Sequence, residues 1–182
     1  DNFQVNIETG IKYLEKSIKG GNIDAVIYYC KMLIKGDTII QNLSKAEKIL
    51  RKHLKDKNAT VHLLYGKIKK KKNEDAKAFK YFEKSASAGN AEGMYNYAKL
   101  LFKGIGCEPN QNKALQYIEM SKTNGYDKTD SFFEKLDGNF LYDYGMKLFT
   151  GNGARQNKEE AIKMFKFSIK KNNKDSMLQY AD

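Results

Sequence analysis

Apolar residues recur along this chain at helical spacing, and they do so in alternating kinds of segment. Around Ala46, Ala78, Ala114 and Ala161 stand Ile49 and Leu50, Phe79 and Phe82, Leu115 and Ile118, and Ile162 and Phe165, the spacing of one buried helix face. Each of these segments follows another that carries a bulky ring beside a small residue: Tyr29-Cys30, Tyr65-Gly66, Tyr97-Ala98 and Tyr144-Gly145, with Tyr180-Ala181 as a last copy. The tyrosines are 36, 32, 47 and 36 residues apart, so the chain is a repeat. The pattern predicts helix pairs, with first helices over Ile23 to Lys35 and Ala91 to about Lys103, and a second helix over Asn42 to Lys55. A lone second helix over Ile7 to Gly20 precedes them, while residues 1 to 6 carry no clear pattern. In the ring-and-small pair, the small residue lets two helices approach and the ring fills the space beside the contact.

The second helices share further columns. Lys45-Ala46, Lys77-Ala78, Lys113-Ala114 and Glu160-Ala161 align, with Gly10 in the same place of the first, incomplete copy. Seven residues on lies a polar column of Ser17, His53, Ser85, Ser121 and Ser168. Asn42, Asn110 and Asn157 stand four residues before the alanines, where a side-chain acceptor caps a helix start, and Glu160 would complete a capping box with Asn157. Gly104-x-Gly106 and Gly151-x-Gly153 follow helices rather than strands, so they read as helix-ending residues and not as a phosphate-binding loop.

Taken in order, Ala91, Tyr97-Ala98, Leu100-Leu101, Gly104-x-Gly106, Lys113-Ala114, Tyr117 and Gly125 resemble the Sel-one-like repeat (SLR), a relative of the tetratricopeptide repeat (TPR). The resemblance covers nearly the whole chain. It implies an all-α fold, a right-handed α/α superhelical solenoid of stacked antiparallel helix pairs that works by holding other molecules.

One repeat array over 1–182 is expected. It divides into a partial repeat, second helix only, over 1–22, a repeat over 23–57, a short repeat over 58–89, a repeat with an insertion over 90–137, a repeat over 138–173, and the start of a truncated repeat over 174–182. The copy beginning at Ala59 lacks the glycine turn and has Lys69 to Lys72 and Asn73 there; Gly36-Asp37-Thr38 keeps one turn glycine. The insertion, between Tyr126 and Asn139, holds Ser131-Phe132-Phe133 and Leu136 at helical spacing, which predicts an extra helical turn or a longer first helix rather than a flexible loop, with a contact surface as a further alternative. Both array ends would leave apolar faces uncovered, so an excised piece of a longer array, or self-association through uncapped repeat ends, is expected.

Composition adds limits. No stretch approaches the apolar length of a membrane span, and no secretory signal is visible in Asp1 to Gly10; a cytoplasmic protein is the expectation. Cys30 and Cys107 fall in different slots of different copies, so Cys30 reads as a small buried residue and no disulfide is expected. The formal net charge is +11, nearly all from lysine, with Arg51 and Arg155 the only arginines. Together with the abundance of asparagine, this can be a compositional bias, so only the placement of the lysines is informative.

No catalytic centre, metal site or cofactor is expected. His53 falls in the polar second-helix column, and His62 in a first-helix position filled elsewhere by Met94 and Leu141. No histidine partner is evident for a serine or cysteine nucleophile. By the TPR resemblance, first helices line a concave groove, and their fifth, ninth, twelfth and thirteenth positions face inward. The candidate partner-binding residues are therefore Ile27, Lys31, Ile34 and Lys35; Leu63, Lys67 and Lys71, with Lys70 beside them; Tyr95, Lys99, Phe102 and Lys103; and Tyr142, Met146 and Phe149, followed by Thr150. Tyr95, Phe102, Tyr142 and Phe149 are expected to be exposed. The carboxylate clamp of some TPR domains is not supported, since its columns hold Asp24, Thr60, Glu92 and Asn139, then Tyr28, Leu64, Asn96 and Asp143.

These rows favour an acidic protein or peptide segment with a few apolar anchors, although lysines on exposed faces also serve solubility alone. The alternatives are a nucleic-acid-binding solenoid, weakened by the scarcity of arginine, and a regulatory arm of a larger enzyme.

Overall fold

The computed structural model describes residues 2–173. Ten α-helices and no strands occur among them: α1 (Asn2–Lys19), α2 (Ile23–Lys35), α3 (Leu43–Arg51), α4 (Ala59–Lys71), α5 (Asp75–Ser87), α6 (Ala91–Lys103), α7 (Gln111–Thr123), α8 (Asp130–Phe133), α9 (Gly138–Thr150) and α10 (Lys158–Ile169). A short 3₁₀ turn, Leu54–Asp56, follows α3. The first helix starts at Asn2, further upstream than its apolar pattern suggests. The expected truncated repeat over 174–182, including Tyr180-Ala181, lies outside the described residues.

The chain forms two compact units, Asp1–Tyr126 and Asp127–Asp182. In the first, successive helices pack on one another, and α2, α4 and α6 also touch directly. Within this unit the first helices α2, α4 and α6 thus lie side by side. The second unit pairs α9 with α10 and includes the insertion. There α8 is the expected extra turn; it buries Phe132 and Phe133, and Phe133 stacks on Tyr144 at 6.0 Å. Lys163 ties α10 to Asp130 at 2.5 Å.

In two of the ring-and-small pairs the small residue is a glycine with a visible cause. A Cβ on Gly66 would lie 2.7 Å from Phe82 Cδ1, and one on Gly145 would lie 2.6 Å from Phe165 Cε1. The notch on the first helix therefore receives the aromatic ring of its own second helix, closer than any side chain would allow.

The polar columns are structural as well. Ser85 Oγ donates to the Ala59 carbonyl at 2.8 Å, Ser121 Oγ to Ala91 at 2.7 Å, and Ser168 Oγ to Gly138 at 2.6 Å. Each serine pins the end of a second helix to the start of its partner. Asn42, Asn110 and Asn157 accept from the backbone N–H groups of Lys45, Lys113 and Glu160 at 2.8, 2.9 and 3.0 Å, which satisfies donors that the first turn leaves open. Gly106, at φ +73, also approaches its neighbour so closely that a Cβ would lie 2.5 Å from the Asp75 carbonyl.

Candidate functional site

Between α2 and α4 the surface forms an open depression of ≈ 440 Å³, lined by Lys31, Ile34, Lys35, Leu64, Lys67 and Lys71. Helix periodicity puts these residues there: Lys31, Ile34 and Lys35 fall on one stripe of α2, and Leu64, Lys67 and Lys71 on the facing stripe of α4. The floor is apolar and the rim cationic. Five of the six belong to the inward positions expected from the sequence. The sixth is Leu64, one residue after the expected Leu63; both leucines are buried, and Leu63 does not line the depression. Ile27 packs, half-buried, against the core of the first unit.

The four lysines are not equivalent. Lys67 pairs with Glu92 of α6 at 2.7 Å, which joins neighbouring first helices, and Lys35 pairs with Asp37. Among the described residues, Lys31 and Lys71 meet no carboxylate within salt-bridge distance. The depression thus presents two uncommitted ammonium groups over two aliphatic side chains.

Further along, the aromatic residues depart from expectation. Tyr95 is buried, its ring 5.0 Å from that of Tyr126, and Lys99 Nζ lies over it at 5.2 Å. Phe102 is half-buried and Lys103 exposed. The reason is the neighbouring loop: Tyr126 supplies a ring that the local spacing around Tyr95 does not announce. In the second unit Tyr142 is half-buried against Phe165 at 5.9 Å, Met146 is half-buried, and Phe149 is 39% exposed with Lys158 Nζ 5.6 Å above it. Of the four aromatic residues expected to be open, Phe149 alone is an exposed one.

A polar system that sequence reasoning missed lies between repeats. Tyr29 donates its hydroxyl to Glu15 of α1 at 3.1 Å, and Lys45 Nζ reaches the same carboxylate at 2.9 Å while lying 5.1 Å over the Tyr29 ring. Tyr97, Glu83 and Lys113 repeat the arrangement in part. The signal was present in the sequence: Glu15 and Glu83 both stand two residues before a column serine.

In the middle repeat the arrangement becomes a buried network. Glu47, 6% exposed, accepts from Lys69 at 2.7 Å, Lys72 at 2.5 Å, Arg51 at 3.1 Å and Tyr65 at 3.3 Å. Lys69, 5% exposed, also donates to Glu74 at 2.9 Å. The bonds from Lys69 and Lys72 pull the Glu47 carboxyl down to about 2. Burial alone would lower Lys69, but its bonds to Glu47 and Glu74 outweigh this and hold it above its ordinary value. The lysine run that replaces the glycine turn is therefore partly interior, and Asn73, at φ 58, takes the left-handed position.

Cys30 is buried and Cys107 half-buried, both as free thiols. Among the described residues, no group of three or more His, Cys, Asp or Glu is placed to hold a metal. No helix among them is long and apolar enough to cross a membrane.

Stacked antiparallel helix pairs with a fixed notch, a serine pin and a left-handed turn define an α-solenoid repeat protein. The chain belongs to the Sel1 repeat family, whose pattern it matches over residues 3–22, 23–52, 59–90, 91–126 and 139–173. Repeats of this family generally serve as protein–protein interaction scaffolds and are typically non-enzymatic.

Two solved structures share the fold. One is c5321, a protective antigen of uropathogenic Escherichia coli strains displaying an SLR fold, at TM-score 0.62 and 16% identity over 93% of this chain and 35% of that one. The other is a Sel1 repeat protein from Oxalobacter formigenes, at TM-score 0.60 and 17% identity over 91% of this chain and 65% of that one. The chain thus spans about a third and just under two thirds of these relatives.

Proposed function

We propose that the chain is a protein-interaction scaffold and that the face shared by α2 and α4 takes an acidic segment with apolar anchors. The observation that carries this reading is the pairing of Lys31 and Lys71, which meet no carboxylate, with Ile34 and Leu64 in one depression. An aspartate- or glutamate-rich peptide would supply the missing charges, and its leucine or phenylalanine side chains would cover the aliphatic floor. Lys67 contributes less, because Glu92 already holds it.

The test uses the whole chain and a fluorescent Asp/Glu-rich peptide carrying spaced Leu and Phe residues. Lys31→Glu with Lys71→Glu should weaken binding at least ~10-fold, since two attractions become repulsions, with helicity unchanged. Equal affinity in wild type and variant would remove the proposal. Displacement of the peptide by an oligonucleotide, with a steep loss of oligonucleotide binding in salt, would favour the nucleic-acid alternative.

A further inference from the structure

A second cavity, of ≈ 640 Å³, lies away from the lysine-lined depression, between the linker after α3 and helices α4 and α5. Lys55, Lys57, His62, Glu83 and Lys84 are among the residues that line it. His62 is 4% exposed, and its Nδ1 is a buried atom with no hydrogen-bond partner. An orphaned ring nitrogen of this kind costs free energy unless something meets it.

The other repeats serve as internal controls. The third residue after the first-helix start is Val26, Met94 or Leu141, each buried and apolar; only the repeat bearing the cavity has an imidazole there. The fourth residue after the polar column is Gly21, Gly89 or Gly125, at φ +84 in each, and in the last described repeat Asn172, at φ 59; here it is Lys57, at φ 51, the one long side chain among them. A lysine in the left-handed region crowds its Cβ against the following carbonyl oxygen, a strain that glycine avoids. Two departures from the repeat, each unfavourable for folding, meet at one cavity.

Charge indicates the ligand. Lys55, Lys57 and Lys84 face it against the single carboxylate of Glu83, whose Oε1 is already occupied by the Tyr97 hydroxyl at 3.1 Å. The nearest linker carboxylate, Asp56, is turned to His53 Nδ1 at 3.1 Å. Three cations and one anion leave two positive charges, the complement of a phosphate monoester, which carries about −1.5 to −2 at neutral pH. We infer that this cavity binds a small molecule bearing a phosphate group, gripped by Lys55, Lys57 and Lys84, with the His62 ring at its wall. It is independent of the peptide-binding reading.

The experiment titrates the whole chain with inorganic phosphate, with acetate as control, and follows the His62 ring signals by NMR. Burial and the neighbouring Lys84 hold this imidazole below its ordinary pKa; a bound dianion should raise it, so that the ring titrates at higher pH. Lys57→Gly, which relieves the backbone as Gly21, Gly89 and Gly125 do, should weaken phosphate about fivefold without loss of stability. His62→Leu, which places here the side chain that Leu141 supplies in a later repeat, should abolish a further part of the affinity. The inference is overturned if phosphate leaves the His62 signals unmoved, if it acts only around Lys31 and Lys71, or if acetate does as much. Full phosphate affinity in both variants would overturn it too.

Discussion

Tyr97 donates its hydroxyl to Glu83 Oε1 at 3.1 Å, across the boundary between two repeats. The ring is 1% exposed and sits edge-on to Tyr117 at 4.8 Å, so its hydroxyl reaches the carboxylate from within the packed interface. A column that looks like simple ring packing in the sequence is therefore also an inter-repeat latch. Removing the hydroxyl with Tyr97→Phe should cost about 1.5 kcal/mol, the usual worth of a bond to a charged acceptor. A double-mutant cycle with Glu83→Gln, read by denaturant unfolding, should show coupling between the two; additive losses would mean the latch does no work.

Glu47 sets the acid stability of the first unit. Its folded value near 2 lies below the ordinary 4.5, so between those values the unfolded chain binds the proton first. Stability from this group is complete above about pH 4.5 and is lost as the pH falls toward 2. Glu47→Gln should cost about 3 kcal/mol by leaving Lys69 short of its main partner, and thermal melts from pH 6 to pH 2 should lose part of their slope in the variant.

Glycine substitutions should divide by position. Gly66→Ala drives a methyl into Phe82 and should destabilise by about 2 kcal/mol, with Phe82→Leu recovering part of the loss in the double variant. Gly10→Ala, inside α1 with nothing within 4 Å of its Cβ, should instead stabilise by about 0.5–1 kcal/mol. Melting temperatures moving in the same direction would contradict the notch.

The two thiols should react in sequence. Burial pushes the Cys30 thiol up to about 12, and it is fully enclosed, so a thiol reagent at pH 8 should leave it untouched until the first unit opens. Cys107, also raised by burial but half-exposed, should label first. Mass spectrometry of the labelled peptides distinguishes the two, since the thiolate is the reacting form.

Helix pairs, the notch, the asparagine caps and the glycine turns were all legible, because each depends on residues a few positions apart. The contacts that cross repeats were not. Glu15 and Glu83 look like two of many surface acids until Tyr29 and Tyr97 arrive beside them. Tyr95 reads as an open groove residue because nothing near it in sequence foretells Tyr126. Lys69 reads as one of the run that replaces the glycine turn, because the burial of its ammonium depends on Glu47, which lies in the preceding repeat. At the lysine-lined depression, the columns gave Lys31, Ile34, Lys35, Lys67 and Lys71; the choice of Leu64 over Leu63 needed the helix rotation that packing sets.

The enclosed Lys69–Glu47 pair also makes the modules of this array non-interchangeable. A chain engineered with the 58–89 segment duplicated or moved behind another neighbour would leave the buried Lys69 ammonium with Glu74 alone, without its enclosed partner Glu47. Order along the array is thus written into one electrostatic key, and any redesign by shuffling must carry Glu47 and Lys69 together.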